Sequence, residues 1–182
     1  ELMVEKIVKI FKEKDIFVLD IGTGTGCILI SILSELQNSK GIGIDISQKA
    51  IQIANANLKK HKLTQRAKFY KRSLNDIYYN KFDLIVSNPP YLSKSEYKDL
   101  SIGIKNFEPK IALNGGDDGL NFYRKLAQKI PKIMNKNAHL IIEIGERQFN
   151  SCKEIFKLSG LNYIKKRQDL QKKDRIMLLS KL

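Results

Sequence analysis

The sequence predicts an α/β protein with a doubly wound, mostly parallel seven-stranded sheet that ends in an antiparallel hairpin. Two observations predict this fold class. Short apolar runs alternate with segments of helical period, which is typical of strands joined by right-handed helical crossovers. Near the C-terminus, two further runs of strand character flank a polar turn, as in a hairpin. The 182 residues are enough for one domain with its own core, and we expect residues 1–182 to form it.

The strands are predicted from apolar runs bounded by turn residues. They are residues 16–21, 41–45, 68–70, 82–87, 138–144, 163–168 and 175–180. The fourth run must leave the sheet at Asn88, because two prolines follow it and proline has no N–H for a sheet ladder.

The helices are predicted from apolar residues at helical spacing. They are residues 1–14, 27–36, a segment after Ser47, 120–130 and 149–158. Ser47 can cap the third of these helices, and Pro131 is expected to end the fourth. Residues 92–119 show no clear period, and an irregular stretch of this length is typical of a functional lid or binding loop.

The charge of the chain is strongly positive. Lys and Arg number 33 and Asp and Glu number 19, which gives a net charge of +14. Such a surface attracts nucleic acid or anything carried on it. Most of the excess is scattered lysine, which is also typical of a solvated basic surface. Contact with a nucleic-acid-rich partner and a generic basic surface both remain open.

Composition also bears on compartment and cofactors. No apolar run is long enough to cross a bilayer, and the N-terminus has mixed charge rather than a signal-peptide pattern. Cys27 and Cys152 have no metal or redox spacing, and the two histidines suggest no metal site. We therefore expect a cytoplasmic protein with no membrane or metal partner. Because the chain begins at Glu1 rather than methionine, we expect an excerpt of a longer polypeptide.

A glycine-rich turn, Gly22-Thr23-Gly24-Thr25-Gly26, follows the first predicted strand. Glycine lets the backbone approach a ligand because it has no Cβ, and doubly wound sheets bind ligands at the carboxyl ends of their strands. The spacing differs from the dinucleotide pattern Gly-x-Gly-x-x-Gly, and the compact form can accept an amino-acid moiety. Asp45 ends the second strand, where a carboxylate can accept both hydroxyls of a ribose.

The fourth strand runs into Asn88-Pro89-Pro90-Tyr91. Pro90 has no N–H, so the Pro89 carbonyl is expected to stay free, and Asn88 supplies a side-chain carbonyl beside it. Two aimed acceptors suit a planar NH2 group, and Tyr91 offers a flat face for stacking. Taken alone, this segment could be a strand-ending turn. Together with the glycine-rich turn and Asp45, it predicts a nucleoside site beside an NH2-bearing substrate.

These motifs resemble those of the class I S-adenosylmethionine-dependent methyltransferases, which have a Rossmann-like fold. The Asn-Pro-Pro-Tyr signature is similar to that of enzymes that methylate amide or exocyclic amino nitrogens. Phe107-Glu108-Pro109, the segment 111–120, Glu143-Ile144-Gly145 with Gln148, and the turn at 169–175 resemble the HemK-type protein-(glutamine-N5) methyltransferases, which act on peptide release factors. The resemblance covers nearly the whole chain.

The resemblance implies S-adenosylmethionine as cofactor, a glutamine amide nitrogen as methyl acceptor and a release factor as partner. The implied cofactor contacts are Gly22, Thr23, Gly24, Thr25, Gly26, Asp45, Ser73, Leu74 and Asn88. The implied catalytic turn is Asn88, Pro89, Pro90 and Tyr91, which would bind the substrate together with Phe107, Glu108 and Pro109. Asp20 is expected to hydrogen-bond within the glycine-rich turn or to reach the cofactor amino group through water.

The chain departs from the family pattern in three places. Family members usually carry a helical N-terminal domain that helps hold the release factor, and we expect it to lie outside these 182 residues. The arginine often found before Phe-Glu-Pro is Asn106. After the third strand, where an acid and a bulky apolar residue usually meet the adenine, the aligned pair is Ser73-Leu74, with Asp76 slightly later. Either Ser73 or Asp76 can supply the contact to the adenine amino group.

Other functions remain open at this point. An N6-adenine methyltransferase would fit the positive charge, although such enzymes usually add a target-recognition region for which this chain has no room. A ribosomal-protein glutamine methyltransferase would share the same family. A domain that binds nucleoside or tethers a partner without catalysis is a different class, and the intact Gly22, Asp45 and Asn88 argue against it.

Overall fold

The computed structural model describes residues 2–78, 81–107 and 109–181, and its strands form one seven-stranded sheet. The strands are β1 (Phe17–Ile21), β2 (Lys40–Asp45), β3 (Ala67–Lys71), β4 (Phe82–Ser87), β5 (Met134–Glu143), β6 (Asn162–Gln168) and β7 (Asp174–Ser180). Their order across the sheet is 3-2-1-4-5-7-6. Strands β1 to β5 are parallel, and β7 is antiparallel to both of its neighbours. The predicted fold class is confirmed.

The helices of the described residues connect these strands. They are α1 (Leu2–Phe11), α2 (Cys27–Glu35), α3 (Gln48–Lys60), α4 (Lys94–Asp99), α5 (Ile102–Phe107), α6 (Lys110–Leu113), α7 (Asn121–Ile133) and α8 (Phe149–Leu158), with a 3₁₀ turn at Leu74–Asp76. Ser47 caps α3 as predicted, because its Oγ accepts a hydrogen bond of 3.2 Å from the Ala50 N–H. None of the helices in the described part of the chain is long and apolar enough to cross a membrane.

The prediction that Pro131 ends a helix was wrong. Helix α7 runs through this proline to Ile133. Proline removes one backbone donor, but here it lies in the last turn, where the lost hydrogen bond interrupts little of the helix. The Met134 N–H still donates to the Ile130 carbonyl. Burial of the apolar face of α7, which includes Ile130 and Ile133, outweighs the local break.

The prediction of an irregular stretch at residues 92–119 was also wrong in part, because α4, α5 and α6 lie within it. The start of α4 is fixed by a capping box. Ser93 Oγ accepts from the Glu96 N–H at 3.2 Å, and Glu96 Oε2 accepts from the Ser93 N–H at 2.8 Å. Short helices set by such polar contacts carry little apolar periodicity, so a search for a buried face does not find them.

The core lies on both faces of the sheet. On one face, α1, α2 and α3 cover inward residues such as Val18 and Val86. On the other face, α7 and α8 cover residues such as Leu19 and Ile85. Because adjacent residues of a strand point to opposite faces, β1 and β4 are buried on both sides. The turns that follow β1, β2 and β4 project from the carboxyl edge of the sheet, where the predicted site residues lie.

Candidate functional site

The two principal motifs leave the sheet side by side. Ile21, the last residue of β1, pairs with Ser87, the last residue of β4. The turns that begin at Gly22 and Asn88 therefore start at the same level of adjacent strands. Ser87 is fully buried, and its Oγ donates a hydrogen bond of 2.8 Å to the Ile21 carbonyl. Sequence reasoning gave Ser87 no role, yet it joins the two turns at their base.

The glycines of the turn have two different surroundings. All three have positive φ: +69° at Gly22, +55° at Gly24 and +82° at Gly26. A Cβ at Gly22 or Gly24 would meet nothing within 4 Å, so both face open space. A Cβ at Gly26 would lie 2.7 Å from Phe69 Cζ and 3.2 Å from Ala54 Cβ. The first two glycines can admit a ligand, whereas Gly26 allows α2 to pack closely.

The two threonines of the turn also differ. Thr23 is buried, and its Oγ1 donates a hydrogen bond of 2.6 Å to Asp20 Oδ2. This bond confirms that Asp20 hydrogen-bonds within the turn. Thr25 is exposed; its carbonyl accepts from Asn57 Nδ2 at 2.9 Å, and its Oγ1 lies 3.1 Å from Cys27 Sγ. Of the two, Thr25 can contact a bound ligand most directly.

Asp45 holds the glycine-rich turn against β2. Its Oδ2 accepts from the Gly24 N–H at 3.0 Å, and its Oδ1 accepts from the Ser47 N–H at 2.8 Å. The Ile44 carbonyl in turn accepts from the Gly22 N–H at 2.9 Å. Each carboxylate oxygen has a second lone pair, and Asp45 is only half-buried. It can therefore support the turn and accept ligand hydroxyls together.

Asp20 is a buried carboxyl beneath the glycine-rich turn. It is fully inaccessible to solvent, and among the described residues its Oδ1 has no hydrogen-bond partner. Burial raises the pKa of Asp20 from 3.8 to about 6, opposed by the hydrogen bond from Thr23 and by the nearby Leu29 amide, and reinforced by the negative charge of Asp45. An unpaired buried anion is unfavourable, and a cationic ligand beside the glycine-rich turn would offset it.

The residues after β3 form a capped turn. Ser73 Oγ accepts from the Asn75 N–H at 3.2 Å, and Asp76 Oδ2 accepts from the Ser73 N–H at 2.8 Å. Leu74 is 8% exposed and belongs to the core. Ser73 and Asp76 thus bind each other while each keeps free lone pairs, and the choice between them as an adenine contact stays a prediction.

The turn after β4 presents unpaired acceptors. Asn88 is exposed, and its side chain makes no hydrogen bond within the described residues. The Pro89 carbonyl likewise accepts no backbone hydrogen bond from them. The peptide bonds of the described chain are all trans. Two neighbouring oxygen acceptors therefore remain available at the end of β4.

Tyr91 is partly buried beside the last residue of β5. Its hydroxyl donates to Glu143 Oε1 at 3.4 Å. Burial raises the pKa of Tyr91, with a smaller contribution from the charge of Glu143. Burial also raises the pKa of Glu143, opposed by the nearby Arg175. The ring packs on the core cluster, which fixes Tyr91 in place shortly after the two acceptors in the chain.

The predicted substrate segment lies around α5 and α6. Phe107 is the last residue of α5, and Pro109 lies immediately before α6. Glu108 lies outside the described residues, so its predicted contact stays a prediction. A group of three or more side chains able to hold a metal ion is not found in the part of the chain that the structure describes.

The sheet order and the glycine-lined carboxyl edge define the doubly wound methyltransferase class. Residues 12–169 match the family model described as methyltransferase domain, and the chain belongs to that family. A solved methyltransferase from Pyrococcus furiosus superposes with a TM-score of 0.74 at 16% identity, covering 99% of this chain and 82% of that one. At that identity, the likeness shows a shared fold.

Curated relatives are more similar in sequence. The chain is 41% identical to a "bifunctional methyltransferase" of Rickettsia bellii over 90% of this chain and 30% of the relative. It is 34% identical to a "release factor glutamine methyltransferase" of Caulobacter vibrioides over 98% of this chain and 62% of the relative. The chain thus spans about a third of the first relative and less than two thirds of the second.

Proposed function

We propose that residues 1–182 form the catalytic domain of an S-adenosylmethionine-dependent methyltransferase that acts on a glutamine side-chain amide of a peptide chain release factor. One observation carries the proposal. The Asn88 side chain and the Pro89 carbonyl have no hydrogen-bond partner among the described residues. Both follow β4, next to the open glycine-rich turn that follows β1.

The open space beside the glycine-rich turn suits S-adenosylmethionine. Gly22 and Gly24 leave open space that a Cβ would occupy, which suits the amino-acid part of this cofactor. Asp45 keeps lone pairs for the ribose hydroxyls, and the unpartnered Oδ1 of Asp20 favours a cationic ligand. When bound there, S-adenosylmethionine supplies an electrophilic methyl carbon on a positively charged sulfur.

The acceptor side fits a primary amide. A glutamine NH2 group has two N–H donors, and Asn88 Oδ1 and the Pro89 carbonyl can each accept one. As the amide nitrogen forms its bond to carbon, its N–H groups become more acidic and these hydrogen bonds strengthen. The two oxygens then stabilise the transition state more than the bound substrate. The proton can leave afterwards, so no general base is needed before transfer.

The relatives support a release factor as substrate. Those of Caulobacter vibrioides and Thermodesulfovibrio yellowstonii are both named release factor glutamine methyltransferases and are each 34% identical to this chain. The name of the Rickettsia relatives, "bifunctional methyltransferase", states no substrate. The net charge of +14 is compatible with a nucleic-acid acceptor, so nucleic acid belongs in the test.

The decisive assay offers labelled S-adenosylmethionine with four acceptors: a release factor, its glutamine-to-alanine version, a ribosomal protein and short nucleic acids. Label on the release factor that disappears with the alanine version is the expected result. Label on nucleic acid alone would replace the proposal with an adenine N6 methyltransferase. Cofactor binding by calorimetry without transfer to any acceptor would indicate a binding domain.

A further inference from the structure

The side-chain amide of Gln148 is fully occupied by contacts with three separate segments. Its Nε2 donates to the Tyr91 carbonyl at 2.8 Å and to the Gly119 carbonyl at 3.4 Å. Its Oε1 accepts from the Gly145 N–H at 3.0 Å and from the Tyr123 hydroxyl at 3.3 Å. The single Tyr123 hydroxyl proton is shared with the Glu143 carbonyl, which lies 3.1 Å from the same hydroxyl oxygen. The amide therefore uses both of its donors and accepts one full and one shared hydrogen bond.

The orientation of this amide is determined by its neighbours. If the amide were flipped, its oxygen would face the carbonyl oxygens of Tyr91 and Gly119, and its NH2 group would face the Gly145 N–H. Both contacts would be repulsive, so only the observed orientation satisfies the Tyr91 and Gly119 carbonyls and the Gly145 N–H. A glutamine is needed here because no other uncharged side chain of this length offers both kinds of group.

Two glycines make room for Gln148. A Cβ at Gly119, where φ is +75°, would lie 2.4 Å from the Tyr91 oxygen and 2.5 Å from Gln148 Nε2. A Cβ at Gly145 would lie 2.6 Å from Gln148 Oε1. Real Cβ atoms do not approach so closely, so the backbone at both positions is pressed against the amide. The Gln148 amide is therefore tightly packed between the backbone at Gly119 and the backbone at Gly145.

The turn that carries the acceptors is fastened at both ends and free between them. Ser87 attaches its start to β1. After the turn, Gln148 holds the Tyr91 carbonyl, while the Leu92 N–H donates to the Leu113 carbonyl at 2.9 Å. The backbone from Asn88 to Pro90 makes no such hydrogen bond with other described residues. The direction of its free oxygens is therefore set by the two fastened ends.

We propose that Gln148 is the positioning residue that aims the Asn88 and Pro89 oxygens at the acceptor NH2 group, an inference that rests on the proposed function. Gln148 lies between β5 and α8, so its backbone is held by two elements of the packed core. Loss of its donor to Tyr91 lets the turn rotate without displacing the glycine-rich turn. Misplacement by about 1 Å can lower a rate on the order of 100-fold.

The test compares Gln148→Glu with Gln148→Met. An ionised glutamate can still accept from Gly145 and Tyr123, but it repels the Tyr91 carbonyl. When protonated, it regains a donor. We expect kcat of Gln148→Glu to be reduced at least ~10-fold at pH 8, and to recover only as the pH falls towards the pKa of the introduced carboxyl, which is ordinarily about 4.3. Dividing the kcat of the variant by the kcat of wild type at each pH removes the pH dependence that the two proteins share. Gln148→Met, which keeps the length without the hydrogen bonds, should be slow at every pH.

Cofactor affinity and backbone exchange separate positioning from general damage. The Kd for S-adenosylmethionine should stay close to wild type in both variants. Hydrogen exchange at the Leu92 amide should become faster in both. Gln37→Glu is the matched control, because Gln37 is exposed between α2 and β2, at the opposite edge of the sheet.

Two outcomes would overturn the inference: wild-type kcat in Gln148→Met, or wild-type kcat in Gln148→Glu at pH 8. Wild-type protein that transfers no methyl group to glutamine would instead defeat the proposed function. In that case, hydrogen exchange at the Leu92 amide still tests the structural part of the inference. An exchange rate in both Gln148 variants equal to that of wild type would show that Gln148 does not hold the turn after β4.

Discussion

Ser87 and Ile21 join the two halves of the candidate site: the buried Ser87 Oγ donates a hydrogen bond of 2.8 Å to the Ile21 carbonyl. These residues end β4 and β1, and the acceptor turn and the glycine-rich turn begin one residue later. A single buried hydroxyl thus connects the bases of both turns.

Ser87→Ala should lower the free energy of unfolding by about 1 kcal/mol, the typical value of a buried neutral hydrogen bond. Urea unfolding monitored by circular dichroism measures it. Ser34→Ala is the control, because Ser34 is an exposed helical serine whose Oγ only donates back to the Ile30 carbonyl. Its loss should change stability by less than ~0.5 kcal/mol. Equal effects of the two substitutions would contradict the role of Ser87.

Asn88→Ala should lower turnover on the order of 100-fold while cofactor affinity changes little, because the side-chain oxygen acts on the acceptor. Its stability should stay within ~0.5 kcal/mol of wild type, since Asn88 is exposed and makes no hydrogen bond with the described residues. Single-turnover kinetics and calorimetry measure the two quantities. Loss of rate and affinity to the same extent would assign Asn88 to cofactor binding instead.

Gly24→Ala and Gly26→Ala should damage different properties. The Gly24 methyl would enter open space, so cofactor affinity should fall with a stability loss of only ~1–2 kcal/mol from its positive φ. The Gly26 methyl would collide with Phe69 and Ala54, which adds ~1–3 kcal/mol of overpacking to the same strain. Cofactor titration and thermal unfolding of both variants check this. A larger stability loss in Gly24→Ala would reverse the assignment.

Asp20 should make stability depend on pH. Its folded pKa of about 6 lies above the unfolded value, so the folded state binds the proton more tightly. This contribution is present below pH ~4 and is lost as the pH rises from ~4 to ~6. A difference of ~2 pKa units corresponds to about 3 kcal/mol.

Asp20→Asn removes this titration. The stability of the variant relative to wild type should therefore increase by about 3 kcal/mol between pH 4 and pH 7. Urea unfolding at a series of pH values measures the difference, in which other titrating groups cancel. A difference that is independent of pH would show that Asp20 keeps an ordinary pKa in the folded protein.

The sheet and the location of the site could be predicted because their causes are local. Apolar runs identified β1, β2, β4 and β5, a weaker run identified β3, and the polar turn of the terminal hairpin identified β6 and β7. The two prolines after Asn88 determined where β4 ends. The errors at Pro131 and in residues 92–119 have different causes. A buried face can carry a helix past a proline, and polar caps such as Ser93 with Glu96 can start a helix that has no apolar period.

The sequence by itself determined the fold class, the order of the motifs and the free acceptors of Asn88 and Pro89, since proline chemistry and strand periodicity act within a few residues. Only the tertiary structure decided which glycines face open space and that Gln148 holds the Tyr91 carbonyl. It also decided that Asp20 is buried with one oxygen unpartnered among the described residues. Those properties depend on groups brought together from distant strands and loops. Burial and hydrogen bonding across such distances arise only when the sheet has assembled.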